Sequence, residues 1–188
     1  ELKKWLKRFN IEEYENKKIK ELSKGNKQKI QFISSIIHKP KLLILDEPFS
    51  GLDPINVDMF IDVINELKEN GTIIIFSSHQ MNHVELFCEK LLILDHGKTI
   101  IEGNLKDIKN SYDERKILIK ADISKSELSE LEGVKNVTIK GDEIEVKIEN
   151  KKYAKSIFEY VAKCKNVTKF EVVELSLHEI FTKEVGVV

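Results

Sequence analysis

Residues 42–48 read Leu42-Leu43-Ile44-Leu45-Asp46-Glu47-Pro48, four apolar residues running into two adjacent carboxylates and a proline. A short, wholly apolar run of this kind is the pattern of a parallel strand covered on both faces. The C-terminal end of such a strand is where open α/β sheets present ligand-binding groups. Asp46 there offers a hard oxygen to Mg²⁺, an ion that keeps several waters and takes one or two carboxylates. Glu47 is placed to orient or deprotonate a water attacking a phosphoryl group. A solvated strand end closed by a proline turn is the plainer reading, and the heptapeptide alone leaves both open.

The flanking sequence supplies the rest of an α/β layer. Val57, Phe60, Ile61, Ile64 and Leu67 recur at helical spacing, and Asn70-Gly71 supplies a C-terminal cap. Residues 72–76 form a second β-branched run that ends in Ser77-Ser78-His79. A helix carrying Val84, Leu86 and Phe87 leads to strands over 91–94 and 99–101, joined by a turn at His96-Gly97. Strand, helix, strand, helix, strand predicts an α/β fold with a largely parallel sheet. On the N-terminal side, Ile30, Ile33, Ile36 and Ile37 share one helical face ending before Pro40, and Leu2, Trp5, Leu6 and Phe9 share another. Leu22-Ser23-Lys24-Gly25-Asn26 opens the first of these helices. Ser23 suits a helix cap, and the same helix start, with free N–H groups beside Gly25, also suits an anion.

The texture changes near Tyr112. A strand over 117–119, a helix over 125–131 and strands over 134–139 and 144–148, joined through Gly141-Asp142, are followed by a helix over 153–162 and a strand over 169–173. That order, βαββαβ, is the ferredoxin-like pattern, and a short helix over 177–181 closes it. The expected organisation is a helical segment over 1–40, an α/β part over 41–111, and a small α+β ferredoxin-like domain over 112–188. No metal cluster and no glycine-rich loop in the last part points to a ligand, so packing or dimer contact is its expected role.

Composition narrows the function classes. The 31 Lys and Arg nearly balance the 32 Asp and Glu, which leaves no basic field for nucleic acid. The Lys-rich stretches 3–8 and 24–29 read as solvated helix faces. Two distant cysteines, Cys88 and Cys164, form no disulfide framework or thiolate metal site, and a reducing cytoplasm fits them. No apolar run approaches the length of a membrane span, and no signal peptide is visible. The expectation is a soluble chain that meets a membrane only through a partner. Glu1 in place of an initiator Met reads as an internal start.

The ordered succession of Leu22 to Asn26, Leu42 to Pro48, Ser50-Gly51-Leu52-Asp53-Pro54 and His79 resembles the ABC ATPase family, matching its signature motif, Walker B motif, D-loop and H-loop. The resemblance spans residues 1–110. Residues 112–188 are similar to extensions on some bacterial export-type ATPases, a weak lean toward export. What the resemblance implies is a partial P-loop NTPase fold that acts on ATP with Mg²⁺. Asp46 would help hold Mg²⁺, and Glu47 would be the general base or water-positioning residue. His79 would contact the γ-phosphate in the same subunit. Ser23, Lys24, Gly25 and Asn26 would face the γ-phosphate of ATP bound by a second ATPase subunit, and Asp53 would lie at the interface between the two. Lys24 and Asn26 depart from the usual Leu-Ser-Gly-Gly-Gln, while Ser23 and Gly25 keep to it.

The family's G-x-x-x-x-G-K-[ST] loop does not occur in the 188 residues. Gly97-Lys98-Thr99 imitates its end, but Leu92 stands at the first glycine position and Ile100-Ile101 suits a strand. The resemblance therefore implies the energy-supplying subunit of a transporter, peripheral at the inner face of the cell membrane through transmembrane permease subunits. This piece alone is expected to be inactive. The alternatives are a soluble ABC ATPase acting on nucleic acid or ribosomes, and a non-catalytic regulatory or dimerisation module.

Overall fold

Phe9 shows how the N-terminal unit is held together in the computed structural model, which describes residues 1–186. It follows helix α1 (Leu2–Arg8), and its fully buried ring meets Phe32 and Phe60 edge-on at 5.9 and 5.3 Å. Phe32 belongs to α2 (Lys24–Ile36) and Phe60 to α3 (Pro54–Glu69), and these two rings stack at 4.5 Å. Each buried ring contributes about 1.5–3 kcal/mol of transfer free energy, so three aromatic residues tie three helices into one core.

The helix limits follow from capping. Ser23 Oγ accepts the Asn26 amide at 3.2 Å and starts α2. Asp53 Oδ1 accepts the Asn56 amide at 2.9 Å, with Pro54 in the first helical position of α3. That helix stops where the Gly71 amide donates to the Lys68 carbonyl at 2.9 Å.

Strands β1 (Leu42–Asp46) and β2 (Ile73–Ser77) pair in parallel, with Leu42 opposite Ile73 and Asp46 opposite Ser77. Leu43, Leu45, Ile74 and Phe76 point into the core that α2 and α3 supply. Leu42, Ile44, Ile73 and Ile75 point the other way and are 49–69% exposed. The expectation of strands covered on both faces is corrected here: the helices cover one face, and the other is bare. Helix α4 (Met81–Phe87) completes this unit, which spans Glu1–Phe87.

The second unit spans Cys88–Val188. It opens with an antiparallel hairpin of β3 (Lys90–Asp95) and β4 (Lys98–Asn104), whose turn residues His96 and Gly97 have φ of +46° and +76°. Two consecutive positive φ values are what a two-residue hairpin needs to match strand twist. Among the described residues β3 pairs with β4 alone, so the parallel sheet has two strands and not three. A short helix, α5 (Leu105–Asn110), follows under an Asn104 cap.

The remaining strands, β5 (Arg115–Asp122), β6 (Val134–Lys140), β7 (Glu143–Ile148) and β8 (Lys165–Glu174), form an antiparallel sheet in the order β6-β7-β5-β8. Helices α6 (Lys125–Ser129) and α7 (Ala154–Val161) make the two crossovers. This is the βαββαβ arrangement expected from the alternation of residues. Ile117, Ile119, Val146 and Ile148 line one sheet face and bury against Leu128, Ile157 and Val161. The last helix, α8 (Leu177–Val185), starts at a capping box of Ser176 and Glu179 and buries Leu177 and Ile180.

Candidate functional site

Parallel pairing of β1 with β2 brings both strand ends to one edge. The Ser77 hydroxyl donates to Asp46 Oδ1. Ser77 also receives the Glu47 amide, which lies 3.2 Å from its carbonyl oxygen and 3.2 Å from its hydroxyl. Glu47 leaves the strand with φ of +46°, a left-handed conformation that costs a non-glycine residue about 1–3 kcal/mol. Its Oε1 accepts the His79 amide at 2.8 Å and meets His79 Nδ1 at 2.7 Å. With the carboxylate ionised, Nδ1–H is the donor, and Nε2 is left as the ring's other polar atom for a ligand. The His79 side chain is 73% exposed and that of Glu47 33%, so the pair is open to solvent.

Phe49 anchors the turn that follows. Its buried ring contacts Phe60, Phe76, His83 and Phe87, with centroids 4.9–6.5 Å away. That anchor fixes the path from Glu47 to Asp53. The Asp53 carboxyl sits below the usual carboxylate range, chiefly because the Asn56 amide bonds to it.

The start of α2 lies against this turn. Gln28 Nε2 donates to the Pro48 carbonyl at 3.2 Å. Gly51 has φ of +77°, and a β-carbon there would fall 3.1 Å from Lys24 Cε and 3.3 Å from its Nζ. A β-carbon on Gly25 would lie 3.8 Å from the Gly51 carbonyl oxygen. Lys24 therefore runs along the turn, a contact open to this sequence because position 51 is glycine. Lys29 is buried in the same helix and donates to the Phe9 carbonyl at 2.9 Å. Burial pulls its ammonium below the ordinary lysine value, and the charge of Asp53 opposes that.

The structure thus gathers Asp46, Glu47 and His79 into one group, and Ser23, Lys24, Gly25 and Asn26 beside the turn that leads to Asp53. Ser23 Oγ is used as a helix cap, which leaves its hydroxyl proton for another acceptor. Two contributors are not legible in the sequence: Ser77, which bonds the Asp46 carboxylate and the Glu47 backbone amide, and Gln28, which ties α2 to the turn. The signal for Ser77 was its register opposite Asp46. Gly97-Lys98-Thr99 lies in the β3–β4 hairpin and forms no phosphate loop.

Among the described residues no group of three or more His, Cys, Asp or Glu could hold a metal by itself. The donor set at Asp46 still fits Mg²⁺, which takes one or two carboxylates and otherwise water and phosphate oxygens. No helix among the described residues is long and apolar enough to cross a membrane.

Residues 103–185 match the family of C-terminal domains of DrrA1-3-like ATP-binding proteins, and residues 8–85 match a family described as AAA domain, putative AbiEii toxin, type IV TA system. An uncharacterized ABC transporter ATP-binding protein of Alkalihalophilus pseudofirmus is 49% identical over 186 residues, which is 99% of this chain and 70% of that protein. The uncharacterized ABC transporter ATP-binding protein YhaQ of Bacillus subtilis is 48% identical over 188 residues, 100% of this chain and 63% of its own. A solved structure described as the ATP binding subunit of an ABC transporter superposes with a TM-score of 0.55 at 33% identity, covering 58% of this chain and 45% of that one. The chain spans about two thirds of the length of these two sequence relatives. With that identity over nearly all of its residues, the chain belongs to the family of ABC transporter ATP-binding proteins.

Proposed function

We propose that this chain is the part of a transport-coupled ATPase that carries the hydrolytic carboxylate and the signature segment. The observation that supports this best is the Glu47–His79 contact of 2.7 Å beside Asp46, at the open end of two parallel strands. In this reading Asp46 would help hold Mg²⁺, which would neutralise charge on the phosphates. Glu47 orients the attacking water and takes its proton, and His79 presents Nε2 to the γ-phosphate. Ser23 and Gly25, with Lys24 and Asn26 beside them, meet ATP held by a second ATPase subunit, and Asp53 links the two subunits.

The same reading makes residues 1–40 the signature-bearing helical segment, 41–111 the remaining nucleotide-binding part and 112–188 an appended domain. It sets the ATPase at the inner face of the membrane, against permease subunits. The near-neutral charge disfavours nucleic acid as partner.

Calorimetric titration with Mg-ATP tests the division of labour. The 188-residue chain, which has no G-x-x-x-x-G-K-[ST] loop, is expected to bind ATP weakly or not at all and to hydrolyse none. The full-length gene product is expected to bind and hydrolyse it. Micromolar affinity in the 188-residue chain would overturn the half-site reading. A full-length protein without ATP turnover would overturn the ATPase reading.

A further inference from the structure

Two charged side chains are buried among the described residues, Lys29 and Arg115. Lys29 is used within its own core. Arg115, 7% exposed at the start of β5, donates through Nη1 to the carbonyls of Tyr112 and Glu114. Its Nε and Nη2 have no acceptor among the described residues. Arg115 lines a half-open cavity of about 570 Å³, walled by β5, β6 and β7 and by α8. That volume is within the range of small-molecule sites.

The cavity wall carries a surplus of positive charge. Arg115, Lys135, Lys147 and Lys183 face two carboxylates, Glu114 and Glu179. Both carboxylates are already shared: Glu114 between Lys135 and Lys183, Glu179 between Lys147 and the neighbouring Lys116. Glu179 also accepts the amide and hydroxyl of Ser176 in its capping box. Fixing α8 to the sheet needs these carboxylates and one lysine each, but not a buried guanidinium and the further lysines. Each ammonium has three donors, and in the pairs above each spends one.

We infer that this cavity is a binding site for a small phosphate-bearing anion. Two uncompensated positive charges match a phosphate monoester dianion, and a guanidinium with free donors suits its oxygens. The volume left beyond the phosphate accommodates an organic group attached to it. The site is distinct from the ATP site proposed above, because every residue lining it lies between Glu114 and Lys183. It gives the C-terminal domain a binding role where its sequence suggested packing or dimer contact.

The test is an NMR titration of the 188-residue chain with inorganic phosphate, against chloride at matched ionic strength. Saturable amide shifts are expected at Arg115, Lys147, His178 and Lys183, and none at Ser23 to Asn26. Lys147→Gln and Lys183→Gln should each weaken binding about tenfold, while Lys155→Gln, an exposed lysine on α7, should leave it unchanged. A second arm separates sources of the phosphate: sedimentation with phosphatidylcholine vesicles carrying phosphatidic acid. Vesicle binding that both glutamine variants abolish assigns the cavity to a lipid headgroup. Phosphate binding without vesicle binding assigns it to a soluble ligand. No saturable shifts together with no vesicle binding, or binding indifferent to both variants, overturns the inference.

Discussion

Ser77 holds two carboxylate residues in place with one side chain, since its hydroxyl donates to Asp46 Oδ1 and lies 3.2 Å from the Glu47 amide. In Ser77→Ala, Asp46 loses its neutral donor and Glu47 keeps only the carbonyl contact that holds its strained backbone. ATP turnover of the full-length protein should fall about tenfold with ATP affinity nearly unchanged, which steady-state kinetics beside calorimetry would show. Glu179 illustrates a charge effect at the same scale. Burial pushes its carboxyl up, but hydrogen bonds from Lys116 and from the amide and hydroxyl of Ser176 outweigh this and hold it down to about 2. The unfolded chain, with a value near 4.5, binds that proton more readily. The contribution is therefore complete above about pH 4.5 and fades as pH falls toward 2. Glu179→Gln should cost about 2 kcal/mol at neutral pH and flatten the acid limb of stability, as urea unfolding across pH would show.

At the scale of elements, the sequence announces whatever rests on local pattern. The 3.6-residue spacing in α3, the alternation in β5 and β7, and the glycine at the β6–β7 turn are all local, and those elements stand where the residues place them. Helix α5 is six residues long, too short for periodicity to register. The partner of β3 and the bare face of β1 and β2 depend on which elements lie opposite, which no local window contains. The site divides in the same way. Asp46, Glu47 and His79 are legible as polar residues ending apolar strands, whereas the part played by Ser77 follows from register. The C-terminal cavity draws its charges from three strands, the residue before β5 and a helix, so no stretch of sequence shows it. Gly133 was equally silent. It has φ of +81°, and a β-carbon there would fall 2.1 Å from the Tyr153 ring. Gly133→Ala should destabilise the C-terminal unit by about 2–3 kcal/mol, read as a lower urea midpoint with the slope unchanged.

At the scale of the whole molecule, the chain presents two groups of residues that, in the proposed reading, serve two nucleotides, one in its own subunit and one held by the second. In that reading the carboxylate end of β1 and β2 activates water. The start of α2, pressed on the turn that leads to Asp53, has free amides and a cation for an anion. The uncovered Leu42, Ile44, Ile73 and Ile75 form an apolar face of the kind that parallel sheets bury. The chain spans about two thirds of the length of its two full-coverage relatives. The proposed ATPase depends on Glu47 as the residue that activates water. Mg-ATP turnover by the full-length protein, compared between the native chain and Glu47→Gln, measures this directly. The predicted result is a fall of about a hundredfold or more, with ATP binding retained, because the amide keeps the size and the His79 contact but cannot take a proton. Turnover within a few-fold of the native protein would contradict the account.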